Sequence, residues 1–457
     1  MKKRVLTTAT VVAVMAGAAA CSSSSSGSTG ASAPDPSALK NAKGVTQITI
    51  WHGLGAANGV AFEKLIDRFN ATNKGKIHVK ATYQGAYADL LAKYTAGLRS
   101  NSTPTVLLAG DIATGFLTDV KKSIPAQDMA KANPGDLKLD ELSRAGRNYY
   151  TVDGTLRAVP MNMSTPVLWV NWDLLKKAGI SKDTDLSTLD SVVAAAKAVA
   201  EKTGQKGFTM PDDDWYIEQL TATAGQDFCT PGNGRKSKAA TGITINTGPA
   251  KSAITKVADL YRTGVAVDGA PDGSAGISAF QAGKVGFLLQ SSGLLGVLKT
   301  GTPFDYQAMP FPTSGPKSTS GTLIGGSALW LSNTAKQAQQ VAGWKLETFL
   351  TSPAAQEEFS HATGYVPINT ETDSSATQKA YLKANPNFQT FTHQVQNTPN
   401  VSAAAGCVTG AMTAIRTSNI NKLQAAFSGS KPVGAALDEA AADAKSAIKT
   451  YQEQVGQ

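Results

Sequence analysis

Three cysteines, four histidines and an aromatic share of 7% in 457 residues set the first limits on this chain. So few cysteines exclude a disulfide-dense small scaffold, and no C-x-x-C pair occurs. His52, His78, His361 and His393 are dispersed and form no H-E-x-x-H, so they read as structural residues; no metal and no cofactor is expected. A Walker A loop is missing, which excludes ATP hydrolysis by this chain, and so is a G-x-S-x-G nucleophile elbow. No motif marks the two opposed carboxylates that a glycosidase needs. Beyond the N-terminus no apolar run approaches the ~20 residues of a membrane span. Blocks of Lys and Arg are absent beyond residue 4, so the net charge of +9 is a scattered one, suited to anionic ligands and not to nucleic acid.

What is present begins at the N-terminus. Lys2, Lys3 and Arg4 precede an uncharged stretch over 5–20, which ends in Ala18-Ala19-Ala20-Cys21 and a serine run. This pattern is an export signal. It resembles a bacterial lipoprotein signal, with 1–20 removed and Cys21 lipidated, although Ala18 stands where that pattern prefers leucine. The alternative is an ordinary secretory signal. Removing the three basic residues takes the charge from +9 to +6. Residues 21–43, rich in Ser, Gly, Ala and Pro, are expected to be a disordered tether. Cys229 and Cys407 remain as the one pair in an oxidising setting; a disulfide and two separate buried thiols are both open.

From residue 44 the rhythm changes. Gln47 to Trp51 alternates as a strand; Val60, Phe62, Leu65, Ile66 and Phe69 suggest one helical face. A strand follows over 77–83, then helical spacing at Tyr87, Leu90, Leu91, Tyr94 and Leu98, then a short apolar strand over 105–109. Strand and helix in alternation predict an α/β sheet. The second half repeats the pattern: strands over 166–171, 285–290 and 323–332, and helices capped by Asp173 and by a Ser187/Asp190 box. A chain of this length suggests two large lobes.

Particular segments then point to a family. Trp51-His52, 83–87, 164–168, Ser291-Ser292-Gly293, 324–330, 363–368 and Arg416 occur in the order found in the extracellular solute-binding proteins of bacterial ABC importers. The chain is most similar to their glycerol-3-phosphate and glycerophosphodiester branch. The resemblance implies an α/β, two-lobed periplasmic-binding-protein-like fold of type II. Each lobe would hold a mostly parallel sheet flanked by helices: 44–161 with 325–370, and 162–324 with 371–457. Crossover strands near 164–166 and 323–326 would act as the hinge. It further implies a monomer that hands a small polar solute to permease subunits served by a separate ATPase. The protein would sit on the outer face of the cell membrane, held by its lipid.

By the same resemblance, Tyr87, Ser164, Ser291 and Tyr365 donate to ligand oxygens, and Gly326 offers a close backbone N–H. Asp111 accepts from ligand hydroxyls, and Arg416 grips a phosphate with its planar fork. Leu189 stands where a bulky tryptophan would narrow the pocket, and Trp215 is an aromatic wall for a sugar or choline. Each has a plain alternative: core packing for Tyr87, Tyr365 and Trp215, capping for Asp111, Ser164 and Ser291, a bulge for Gly326, an exposed helix position for Arg416. Asp212-Asp213-Asp214 reads as a polar loop. Arg416→Ala is expected to weaken binding while sparing the fold. A mono- or oligosaccharide receptor and a lipid-anchored hydrolase are the competing functions.

Overall fold

The computed structural model describes residues 32–235, 239–316 and 319–456. The export signal, Cys21 and the first part of the tether lie outside the described residues. The end of the expected tether does not: Pro34 is buried, and a short helix, Ser37–Lys40, packs on helix Gln337–Leu350. That stretch has something to bury after all, because Ala33 and Leu39 reach the apolar core.

Ten strands build two sheets: β1 (Thr46–His52), β2 (Ile77–Tyr83), β3 (Val106–Gly110), β4 (Ser123–Ile124), β5 (Val159–Ser164), β6 (Pro166–Asn171), β7 (Lys206–Thr209), β8 (Val285–Ser291), β9 (Tyr306–Pro310) and β10 (Gly325–Ser332). The first sheet runs β2-β1-β3-β10-β4, with β5 beside the N-terminal residues of β10; the second runs β9-β6-β8-β7. In each sheet one strand is reversed. β10 is antiparallel to β3, β4 and β5, and β6 is antiparallel to β8 and β9. The cause lies in the connections. Parallel neighbours need a long crossover, as helices Ala56–Thr72 and Tyr87–Ser100 provide between β1, β2 and β3. Only Thr165 separates β5 from β6, so β6 enters the second sheet without turning back.

Strand alternation distributes the second sheet between two cores. Leu168, Val170, Phe287 and Leu289 face the second lobe's core, with helices Leu189–Thr203, Gly248–Arg262, Met412–Phe427 and Val433–Val455. Val167, Trp169 and Leu288 face the other way, where Trp169 meets Phe391 of helix Pro386–Asn397 edge-on at 5.6 Å. In the first lobe, helix Ala56–Thr72 buries Phe62, Leu65, Ile66 and Phe69, worth about 1.5–3 kcal/mol each. Val60, expected on that face, is 69% exposed. It lies two residues before Phe62 and so about 200° around the helix.

Several local expectations move by a residue. Asn171, not Asp173, caps helix Trp172–Lys177 by accepting from Leu174 N–H. The box before helix Leu189–Thr203 is Thr188 with Ser191; Ser187 instead donates its N–H to Asp185. Gly325 and Gly326 open β10 where an interrupted strand from residue 323 was expected.

Candidate functional site

The ends of β1, β3, β5 and β8 and the start of β10 converge where the chain passes between the sheets. Ser164 pairs with Gly325 and Ser291 with Pro166. Thr165, at the passage, accepts no freedom: its N–H donates to Ser292 Oγ, its carbonyl accepts from Ser292 N–H at 2.8 Å, and Gln394 donates to its hydroxyl.

Tyr87 opens helix Tyr87–Ser100, and its ring lies across Gly53, just past β1, and Gly110, the last residue of β3. A methyl group at Gly53 or Gly110 would fall 2.7 or 2.6 Å from ring carbons, so only glycine admits the ring there. The Tyr87 hydroxyl is buried and makes no hydrogen bond of good geometry, with Ser327, Asn162 and Tyr365 beside it. Burial raises its pKa. Tyr365 stacks on Phe359 at 5.7 Å, and its hydroxyl end sits about as close to Gly293 as Ser291 Oγ does, 3.9 against 3.5 Å from an added Cβ. Ser291 caps the turn after β8 by accepting from Gly293 N–H at 3.2 Å. Ser164 Oγ and the Trp215 ring both press on Gly325, and Trp215 Nε1 is buried without a partner. Gly326 adopts φ +122°, and a Cβ there would lie 2.1 Å from the Asn162 carbonyl oxygen, so this position requires glycine.

Arg416, on helix Met412–Phe427, supplies the charge. Its Nε donates to Glu218 Oε1 at 2.7 Å, and its Nη2 reaches Asp111 Oδ2 at 3.5 Å. The two bonds engage two of its five N–H groups. Asp111 follows β3 of the first lobe, whereas Glu218 and Arg416 belong to the second, so the guanidinium joins the lobes. It is not an exposed helix residue: the Arg416 and Glu218 side chains are 13% and 2% exposed. Burial raises the Glu218 carboxyl to about 7 despite the neighbouring guanidinium, and raises Asp111 too, while Glu218 and Asp111 together keep Arg416 charged.

Tyr87, Asp111, Ser164, Trp215, Ser291, Gly326, Tyr365 and Arg416 thus share one region. Leu189 opens helix Leu189–Thr203 and is 1% exposed among the second lobe's core residues, a cluster that also holds Trp215. The Asp212-Asp213-Asp214 run is not a solvated loop. Asp212 accepts from Gln424, Asp213 caps helix Asp214–Thr223, and Asp214 is fully buried against Asn419. Sequence reasoning missed Glu218, Asn162 and Ser327. Glu218 lies four residues after Asp214, and that i, i+4 spacing was the available signal. Cys229 and Cys407 form a disulfide with Cα atoms 5.5 Å apart, which ties the hairpin around residue 230 to the segment leading into the Arg416 helix. Recesses of about 480 and 910 Å3 open elsewhere, and none of the expected ligand residues lines them. Among the described residues no group of acids, Cys and His is arranged to hold a metal ion.

Two α/β lobes joined by short crossovers, with charged and hydroxyl groups at their junction, define a bilobal α/β protein. Residues 64–390 match the bacterial extracellular solute-binding protein family, and the chain belongs to that family. It is 28% identical over 408 residues to the sn-glycerol-3-phosphate-binding periplasmic protein UgpB of Yersinia enterocolitica, spanning 88% of this chain and 92% of that one. The Escherichia coli K12 protein of the same name is 25% identical over 420 residues, 91% and 95% of the two chains. Among solved structures, Mycobacterium tuberculosis UgpB in complex with glycerophosphocholine has a TM-score of 0.75 at 19% identity, covering 88% of this chain and 98% of that one. The cyclic alpha-maltosyl-1,6-maltose binding protein of Arthrobacter globiformis has a TM-score of 0.71 at 21% identity, covering 89% and 99%. The type II two-lobed architecture is therefore that of the periplasmic sugar-binding proteins. Among the described residues no helix is long and apolar enough to cross a membrane.

Proposed function

We propose that this protein is the solute-capturing receptor of an ABC importer and that it takes glycerol 3-phosphate or a glycerophosphodiester between its lobes. Arg416 carries the reading: a buried guanidinium at the lobe junction, with free N–H donors, suits a phosphate oxygen. Around it, Trp215 Nε1 is a buried donor without a partner, and Tyr87, Tyr365, Ser164, Ser291 and the Gly326 backbone supply further polar groups. Asp111 accepts from the glycerol hydroxyls. The lobes are 44–161 with 325–370 and 162–324 with 371–457, each centred on one sheet, with the first boundary falling inside β5. Ligand contacts to both lobes favour the closed state, which the permease would recognise. The receptor is a monomer held to the outer membrane face through lipidated Cys21, it leaves its ligand chemically unchanged, and a separate ATPase drives transport.

A mono- or oligosaccharide is the second reading. It is favoured by Asp111 and Glu218, two carboxylates whose oxygens suit sugar hydroxyls, with Trp215 on the same helix as Glu218. A thermal-shift panel of glycerol 3-phosphate, glycerophosphocholine, maltose and trehalose separates the two, since a true ligand raises the melting point by mass action. A rise with the glycerol-phosphate compounds alone supports the first reading; a rise with a sugar alone replaces it. Incubation followed by chromatography must return each ligand intact, and turnover would make the chain a hydrolase.

A further inference from the structure

Glu218 has no role in any expectation drawn from the chain, yet it is the nearest partner of the residue on which phosphate binding depends. We infer that Glu218 selects among phosphate esters: it holds the Nε edge of Arg416 and, in its ionised form, favours a singly charged phosphodiester over a doubly charged phosphomonoester. The inference rests on the glycerol-phosphate reading above.

Charge around the site is the reason. Once ionised, Glu218 donates nothing to a ligand phosphate and repels it, and Asp111 stands on the other side of the guanidinium. Asp213 adds a third carboxylate felt by Arg416, Asp111 and Glu218 alike. The remaining groups, Tyr87, Tyr365, Ser164, Ser291 and Trp215, are neutral. The other buried cation of the neighbourhood, Arg235, is committed to the backbone carbonyls of Asn148, Tyr149, Thr151 and Gly406. One cation thus answers four acids, Asp111, Asp213, Asp214 and Glu218. A monoanionic phosphate finds the Nη side of the fork and hydroxyl donors. The second charge of a monoester finds no cation of its own, and in a buried setting like charges a few ångströms apart repel strongly. Discrimination by a repulsive group is a common route to specificity.

Calorimetric titration of the full chain at about pH 8, where Glu218 is ionised, tests this with two ligands. Glycerol 3-phosphate is the monoester, and glycerophosphoglycerol is a diester with an uncharged alcohol. The diester should bind the wild-type protein about tenfold more tightly or better. Glu218→Gln keeps an acceptor for Nε but removes the charge, and should narrow that preference several-fold, chiefly by tightening the monoester. Equal or tighter binding of the monoester by the wild-type protein overturns the inference without any variant. An unchanged ratio in a folded E218Q protein also overturns it. If neither phosphate binds and a sugar does, the glycerol-phosphate reading itself fails and takes the inference with it, which is a different result from the other two.

Discussion

Arg416→Ala was expected to weaken binding and spare the fold, but its burial between two carboxylates predicts a large, pH-dependent loss of stability. In the wild-type protein Glu218 rises from 4.5 to about 7 because burial outweighs the guanidinium. A carboxyl raised on folding contributes stability that is fully present below its unfolded pKa and is lost as the pH climbs through the folded value. For Glu218 that loss is roughly 3 kcal/mol, at ~1.4 kcal/mol per pKa unit. Removing Arg416 takes away the one cation that limits it, and Asp111 is pushed up as well. Breaking a buried ion pair from one side costs about 3–5 kcal/mol, and that cost should appear in full only where both acids would otherwise ionise. Urea unfolding at about pH 8 should therefore show R416A less stable by that amount, while near pH 5 the difference should shrink to ~1–2 kcal/mol, the scale of lost hydrogen bonds and packing. Adding Glu218→Gln to R416A should restore much of the loss at the higher pH. Equal losses at both pH values, or less than about 1 kcal/mol at pH 8, would refute the charge argument.

Tyr87→Phe removes a buried hydroxyl that makes no hydrogen bond of good geometry within the protein. Melting temperature should hold or rise, while calorimetric affinity for the true ligand falls about tenfold, the worth of a hydrogen bond of ~1.4 kcal/mol; a destabilised protein with unchanged affinity would make Tyr87 a packing residue. Reduction of Cys229–Cys407, or replacement of both by serine, opens a loop spanning 178 residues. The unfolding midpoint should drop by the equivalent of about 2–5 kcal/mol, and a midpoint unaffected by reductant would show that the hairpin contacts alone hold the Arg416 helix.

Much of this architecture is legible along the chain because its causes are local. The alternation of Gln47 to Trp51 and the i, i+3, i+4, i+7 face from Phe62 to Phe69 each follow from the periodicity of one element. The order of short family segments, from Trp51-His52 to Arg416, was enough to indicate two lobes and a site between them. Caps were less legible: Thr188 and Ser191 capture the helix that Ser187 and Asp190 seemed to offer, because one residue of shift leaves similar side chains in similar places.

What the amino-acid order conveyed by itself was the alternating α/β pattern, since periodicity needs no partner to be read, while the receptor family came from the resemblance of its short segments. Tertiary structure alone decided which distant groups meet. Leu189 went to a core because its helix turned inward, Cys229 and Cys407 came within bonding reach across 178 residues, and Glu218 and Asp111 were brought to the two edges of one guanidinium from opposite lobes. Electrostatic energy depends on separation through space, and the chain passes between the lobes more than once, so sequence distance carries no measure of that separation.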